Sequence, residues 1–146
     1  MKIIIKSILL ISIFSIIAGH SCSISSNNTD EINICKEWKL AGFGDVSSSG
    51  IKNAEPNDEW CYVLKFKERG ELAGMTSTNS FEGTYEINYS KSIIQILIGF
   101  ITKVGEYLDG ELYIESLKNV NFFTLEKDEL KLYYNDGQNY LLFKSR

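Results

Sequence analysis

The chain carries a single histidine, His20, and that residue falls in a segment with the features of an export signal. The mature protein is thus expected to lack imidazole altogether, which removes the Ser-His and Cys-His nucleophile pairs and every histidine metal ligand. Positive charge is also in deficit, with 15 Lys and Arg against 19 Asp and Glu. Losing Lys2 and Lys6 with the signal leaves 13 against 19, a net charge of about −6. An acidic domain with no basic stripe argues against nucleic acid as a partner and against electrostatic docking on anionic lipid. The one proline, Pro56, beside abundant Ile, Asn and Lys, reflects codon bias and says nothing of function.

What is present begins with that signal. Lys2 and Lys6 form a positive start, and Ser7 to Ala18 is an apolar run of about a dozen residues, too short to span a bilayer comfortably. Gly19 and Ser21 are small, and Cys22 follows. Residues 1–21 read as a signal peptide. Cleavage before Cys22 fits ordinary signal peptidase. The order small, small, Cys also resembles a bacterial lipobox, after which Cys22 would be acylated, although Gly19 stands where Leu, Val or Ile is usual. Residues 22–34 read as a polar tether between a lipid anchor and a domain at 35–146.

Cys22, Cys35 and Cys61 are the three cysteines. With Cys22 given to the lipid, an oxidising compartment favours a disulfide between Cys35 and Cys61, which stand just before two candidate strands. The closed loop of about 27 residues would stabilise by about 3.5 kcal/mol in the chain-entropy model. The alternative is two free buried thiols.

Apolar residues make up 44% of the chain, and eight Tyr, eight Phe and two Trp favour pleated, half-buried surfaces. Two-residue alternation recurs from Trp38 to Phe143. Strands are expected at 37–43, 62–66, 71–76, 83–89, 92–98, 121–126, 130–134 and 139–144. Ser92 to Ile98 is continuously apolar and reads as covered on both sides. Residues 44–59 and 76–82 read as polar loops. Between 109 and 120 the period changes: Tyr113, Leu117 and Val120 fall on one helical stripe, with Asp109 placed to act as N-cap. Asn135-Asp136-Gly137 is a hairpin turn. The fold expected is mainly β (α+β), a small antiparallel barrel or half-open sandwich of about eight strands with one short helix.

The order of weak motifs resembles the META domain family of HslJ-like bacterial envelope lipoproteins. The matching stretches are Trp38-Lys39-Leu40, Leu64-Lys65-Phe66 with Gly70 and Gly74, and Asn79 followed by Gly83-Thr84-Tyr85. Thr102-Lys103-Val104, Tyr113 with Leu117 and Val120, Leu130-Lys131-Leu132-Tyr133 and Phe143 continue the match. Members often carry Cys-Asn where this chain has Thr78-Asn79, and a second Cys near the position of Glu106. Both cysteines are missing here. The resemblance implies a role in envelope stress or cell-surface integrity, with no agreed ligand or reaction.

No catalytic motif stands out. Glu55, Asp58 and Glu59 cluster in a loop without an ordered calcium-binding pattern, so they read as solvated. Neither a metal nor a cofactor is expected. The segment Thr76 to Phe81 admits two readings. One is a polar binding loop formed by Thr78 and Asn79 with Phe81 as aromatic anchor. The other is a turn held by local side-chain hydrogen bonds.

The functional expectation is a non-catalytic lipoprotein and monomer, anchored in the outer membrane and facing the periplasm or the cell surface. It would bind an envelope or secreted protein. The alternatives are a lipocalin-like carrier of a small hydrophobic ligand and an inhibitor of a secreted hydrolase. If the anchor is correct, Cys22→Ala moves the protein from the membrane fraction to the soluble one. A wild-type N-terminus without acyl chains, by mass spectrometry, would contradict it.

Overall fold

The computed structural model describes residues 33–146. The signal, most of the tether and Cys22 lie outside the described residues. Among the described residues nine strands form one antiparallel sheet: β1 (Glu37–Asp45), β2 (Ile51–Asn53), β3 (Val63–Phe66), β4 (Glu71–Met75), β5 (Ser80–Asn88), β6 (Ile93–Ile101), β7 (Phe122–Leu125), β8 (Glu129–Tyr134) and β9 (Asn139–Ser145). Pairing between β1 and β9 closes eight of them into a barrel, and β2 lies outside against β1. Pairing β9 with β1 covers an edge that an open meander would leave, while β6 meets β7 at a single residue pair. Among the described residues one α-helix, α1 (Gly110–Lys118), joins β6 to β7.

Alternation places Trp38, Leu40, Leu64, Phe66, Leu72, Tyr85, Ile94, Leu130, Leu132, Leu141 and Phe143 inside. Each such side chain stabilises by roughly 1.5–3 kcal/mol when fully buried. The helix adds Tyr113, Ile114 and Leu117 from a single stripe. Tyr113 meets Tyr62 edge-on at 5.3 Å between ring centroids, and Phe81 and Phe143 at 6.3 Å each. The interior is therefore filled with side chains. Gly74 lets Phe81 into it, since a Cβ there would stand 2.3 Å from the Phe81 ring. The core also begins earlier than the sequence implied. Ile34, read as the end of the tether, is fully buried, and its carbonyl accepts from Trp38 Nε1 at 2.8 Å.

Three expectations need correction. The strands that follow Cys35 and Cys61 do pair, but they run antiparallel, so their starts lie at opposite ends. With Glu37 opposite Lys65 and Lys39 opposite Val63, the register separates the two cysteines by about six residues, roughly 20 Å. A disulfide needs Cα atoms within about 7 Å. Cys61 is a free buried thiol, and Cys35 Sγ lies 3.5 Å from the Tyr85 hydroxyl. β6 is covered on its inner face alone: Ile94 and Ile96 are buried, while Leu97 is 69% exposed. Asp109 precedes α1 as expected, but its carboxylate makes no capping bond. That carboxylate accepts instead from the Glu55 amide at 3.0 Å and from Lys52.

The Tyr113 hydroxyl is buried without a hydrogen-bond partner among the described residues, whereas the Tyr62 hydroxyl donates to the Glu55 carbonyl. Removing an unpaired buried hydroxyl relieves a desolvation cost. Tyr113→Phe is thus expected to leave stability unchanged or raise it by up to about 1 kcal/mol, and Tyr62→Phe to lower it by about 1–2 kcal/mol. Urea unfolding checks both. A clear loss in Tyr113→Phe would contradict the unpaired assignment.

Candidate functional site

The loops after β2, β4 and β6 meet at one end of the barrel. The turn Thr76 to Asn79 is rich in short hydroxyl and amide side chains, which readily bond to nearby groups. Here they converge on one carboxylate from a segment about 30 residues downstream. Thr76 Oγ1 donates to Glu106 at 2.7–2.8 Å, Ser77 Oγ at 2.9 Å, Thr78 Oγ1 at 3.1 Å and Asn79 Nδ2 at 2.6 Å. Asn79 also donates to the Val104 carbonyl at 2.7 Å. Its Oδ1 accepts from Thr102 Oγ1 and from the Val104 amide, each at 2.8 Å. Ser77 Oγ accepts from the Tyr107 amide at 3.0 Å. Together these bonds latch the 102–107 segment onto the β4–β5 turn.

The helix start packs onto this latch. A Cβ at Gly110 would lie 2.3 Å from both Ser77 Oγ and a Glu106 oxygen, so only glycine fits there without displacement. Beside it, the half-buried Lys39 ammonium donates to the carbonyls of Asp58 and Cys61. Burial holds the Lys39 pKa below its usual value, and burial likewise pushes the Cys61 thiol up.

Such an arrangement has little to offer catalysis. Burial raises the Glu106 pKa, but the four side-chain donors outweigh it, and the net shift is downward. A carboxylate held ionised, with its lone pairs already filled by neighbours, is a poor proton donor and a poor metal ligand. Cys61, raised and buried, is a poor nucleophile. Among the described residues no cluster of His, Cys, Asp or Glu has the grouping of a metal site. Glu55, Asp58 and Glu59 are exposed, and Glu59 accepts from Arg146 at 3.1 Å.

The residues marked by sequence are divided by this geometry. Asn79 is 2% exposed and Phe81 1%, so Asn79 belongs to the latch and Phe81 to the core, while Thr78 is exposed. Cys35 and Cys61 are not brought together. Glu106, the centre of the latch, was missed by sequence reasoning. No local pattern in the sequence marks it. Also missed was a concentration of exposed apolar side chains. Leu97, Phe100, Val104, Tyr107, Leu108 and Leu112 all fall between the middle of β6 and the first turn of α1.

The fold and this end of the barrel define a class, the small antiparallel β-barrel with a filled interior and one latched helix. A solved structure of a DUF4847 family protein from Bacteroides vulgatus shares the fold. Its TM-score is 0.61 at 17% identity, covering 80% of this chain and 96% of that one. A Tannerella forsythia protein named "Putative lipoprotein" is 32% identical over 109 residues, 73% of this chain and 71% of the relative. The chain belongs to the family of that Tannerella protein. No family model matches it.

Two outcomes test the latch. Asn79→Ala is expected to cost about 2–4 kcal/mol, since it breaks several buried bonds at once. With the folded Glu106 pKa below its ordinary 4.5, its contribution is full above 4.5 and is lost as pH falls through the lowered value. Acid thermal melts should therefore show a steeper fall in stability below 4.5 than Glu106→Gln does, the variant keeping only the fall that Asp45 and Glu129, whose pKa values are also held down, contribute. Parallel curves for the two proteins would contradict the role of Glu106.

Proposed function

We propose that the protein is an exported lipoprotein, tethered through an acylated Cys22, that acts by binding another protein and carries out no catalysis. The observation that carries this reading is the distribution of apolar surface. The interior is packed with aromatic rings, while six large apolar side chains between Leu97 and Leu112 face solvent. Exposed apolar side chains concentrated in one part of a rigid scaffold commonly mark an interaction site. The name of the Tannerella relative supports the anchor. The META resemblance supports a place in envelope stress or surface integrity, and inhibition of a secreted hydrolase is one form that such binding takes. The lipocalin-like carrier reading has less support, because a carrier needs interior room and here Trp38, Tyr62, Phe66, Phe81, Tyr113 and Phe143 occupy it.

Crosslinking in intact cells, followed by recovery of the protein, tests this reading. Wild type should recover a defined partner, and Leu97→Glu with Phe100→Glu, both exposed, should lose it while the barrel stays folded by circular dichroism. Recovery unchanged by that pair, or a stoichiometric lipid on the purified protein by native mass spectrometry, would contradict the reading.

A further inference from the structure

The barrel has one weak seam. β5 pairs with β6 along its whole length, from Asn88–Ile93 to Phe81–Ile101. On the other side β7 pairs with β6 at Ile93 alone. Two backbone bonds hold that point, from the Ile94 amide to the Asn121 carbonyl at 3.1 Å and from the Phe123 amide to the Ser92 carbonyl at 3.0 Å. Beyond it α1 intervenes, and among the described residues no strand pairs with that edge of β6. Strand backbone groups point alternately to the two edges. The Ile94 amide faces the seam, so the amide and carbonyl of Ile96 face it as well.

The space alongside is a groove of about 500 Å³. Gln95, Ile96 and Leu97 line one side, and Lys118, Asn119 and Asn121, where α1 ends, line the other. Asn121 Oδ1 is a buried acceptor without a donor among the described residues. Strand groups and an acceptor that have no partner among the described residues, with the exposed Leu97 and Phe100 on the same strand, make up the template that strand addition uses. The edge is also rigid. Asn79 pins Thr102 and Val104 immediately after β6, so little ordering cost remains for a binder.

Charge selects the occupant. Glu82 and Glu86 stand opposite Phe100 and Gln95 on the outer face, and Glu111 is exposed on the helix. None of the three is in an ion pair among the described residues, whereas Lys118 is paired with Glu115. The C-terminal end of α1 adds negative potential to the groove. A second copy docked edge to edge would set these carboxylates against themselves.

We propose that the β6 edge from Gln95 to Ile101 is the binding site of the partner, and that it takes an extended peptide segment alternating basic and apolar residues, added as a strand. This rests on the protein-binding reading above and names the surface and chemistry behind it. The test uses the isotopically labelled protein and two short peptides, one alternating lysine with valine and one alternating glutamate with valine. The lysine peptide should shift and slow the exchange of the Ile96 amide, and the glutamate peptide should not. Glu82→Lys with Glu86→Lys, both exposed and checked by thermal melting, should weaken binding about tenfold or more.

In cells, a photocrosslinker at position 97 should capture the partner, and one at position 51 on β2 should not. Partner capture that persists in the charge-reversed protein, or no response at Ile96, overturns the strand proposal and leaves protein binding standing. Capture of the chain by itself overturns it in favour of a second copy. No partner from any position overturns both readings.

Discussion

Much of the molecule depends on one carboxylate. Glu106 gathers donors from Thr76, Ser77, Thr78 and Asn79, and in doing so fixes the path of the chain between β6 and α1. That path brings Gly110 against the latch and aims the stripe of Tyr113, Ile114 and Leu117 into the open end of the barrel. A filled end follows, and so does the loss of interior space for a ligand. Side-chain hydrogen bonds of this kind are worth about 1 kcal/mol each when satisfied, and more when one partner is removed from a buried network. A latch of several bonds is therefore comparable with a small domain's margin of stability.

The same geometry separates structure from interaction. The polar turn at 76–79 carries the residue types of a binding loop, yet its functional groups are consumed internally. The segment it holds down presents apolar side chains to water. Leu108 adopts a positive φ of 49°, a conformation that costs a non-glycine residue energy, next to the buried Asp109. Rigid framework and exposed apolar rim are thus adjacent parts of one arrangement.

Strands were legible in the sequence because one face of each is wet and the other dry, which writes a two-residue period into the chain. Trp38, Leu40, Leu64 and Phe66 fell where that period put them. The helix was legible through Tyr113 and Leu117, and the hairpin through Asn135-Asp136-Gly137, all three of which have positive φ. The cysteine pairing misled because spacing along the chain carries no strand direction, and antiparallel pairing sends two strand starts to opposite ends. β6 misled because its continuous apolar run has the composition of a doubly covered strand, while the helix inserted after it leaves the outer face bare. The latch was invisible because its two halves are about 30 residues apart and no local pattern links a Thr-Ser-Thr-Asn turn to a distant glutamate.

Glu106 couples the turn, the β6 end and the helix into one unit. Residue-resolved amide exchange on Glu106→Gln at neutral pH tests it directly. Protection at Val104, Tyr107 and Tyr113 should fall together, while amides in the β8–β9 ladder keep theirs. Unchanged protection in the 102–113 segment, or a uniform loss across the whole barrel, would contradict it.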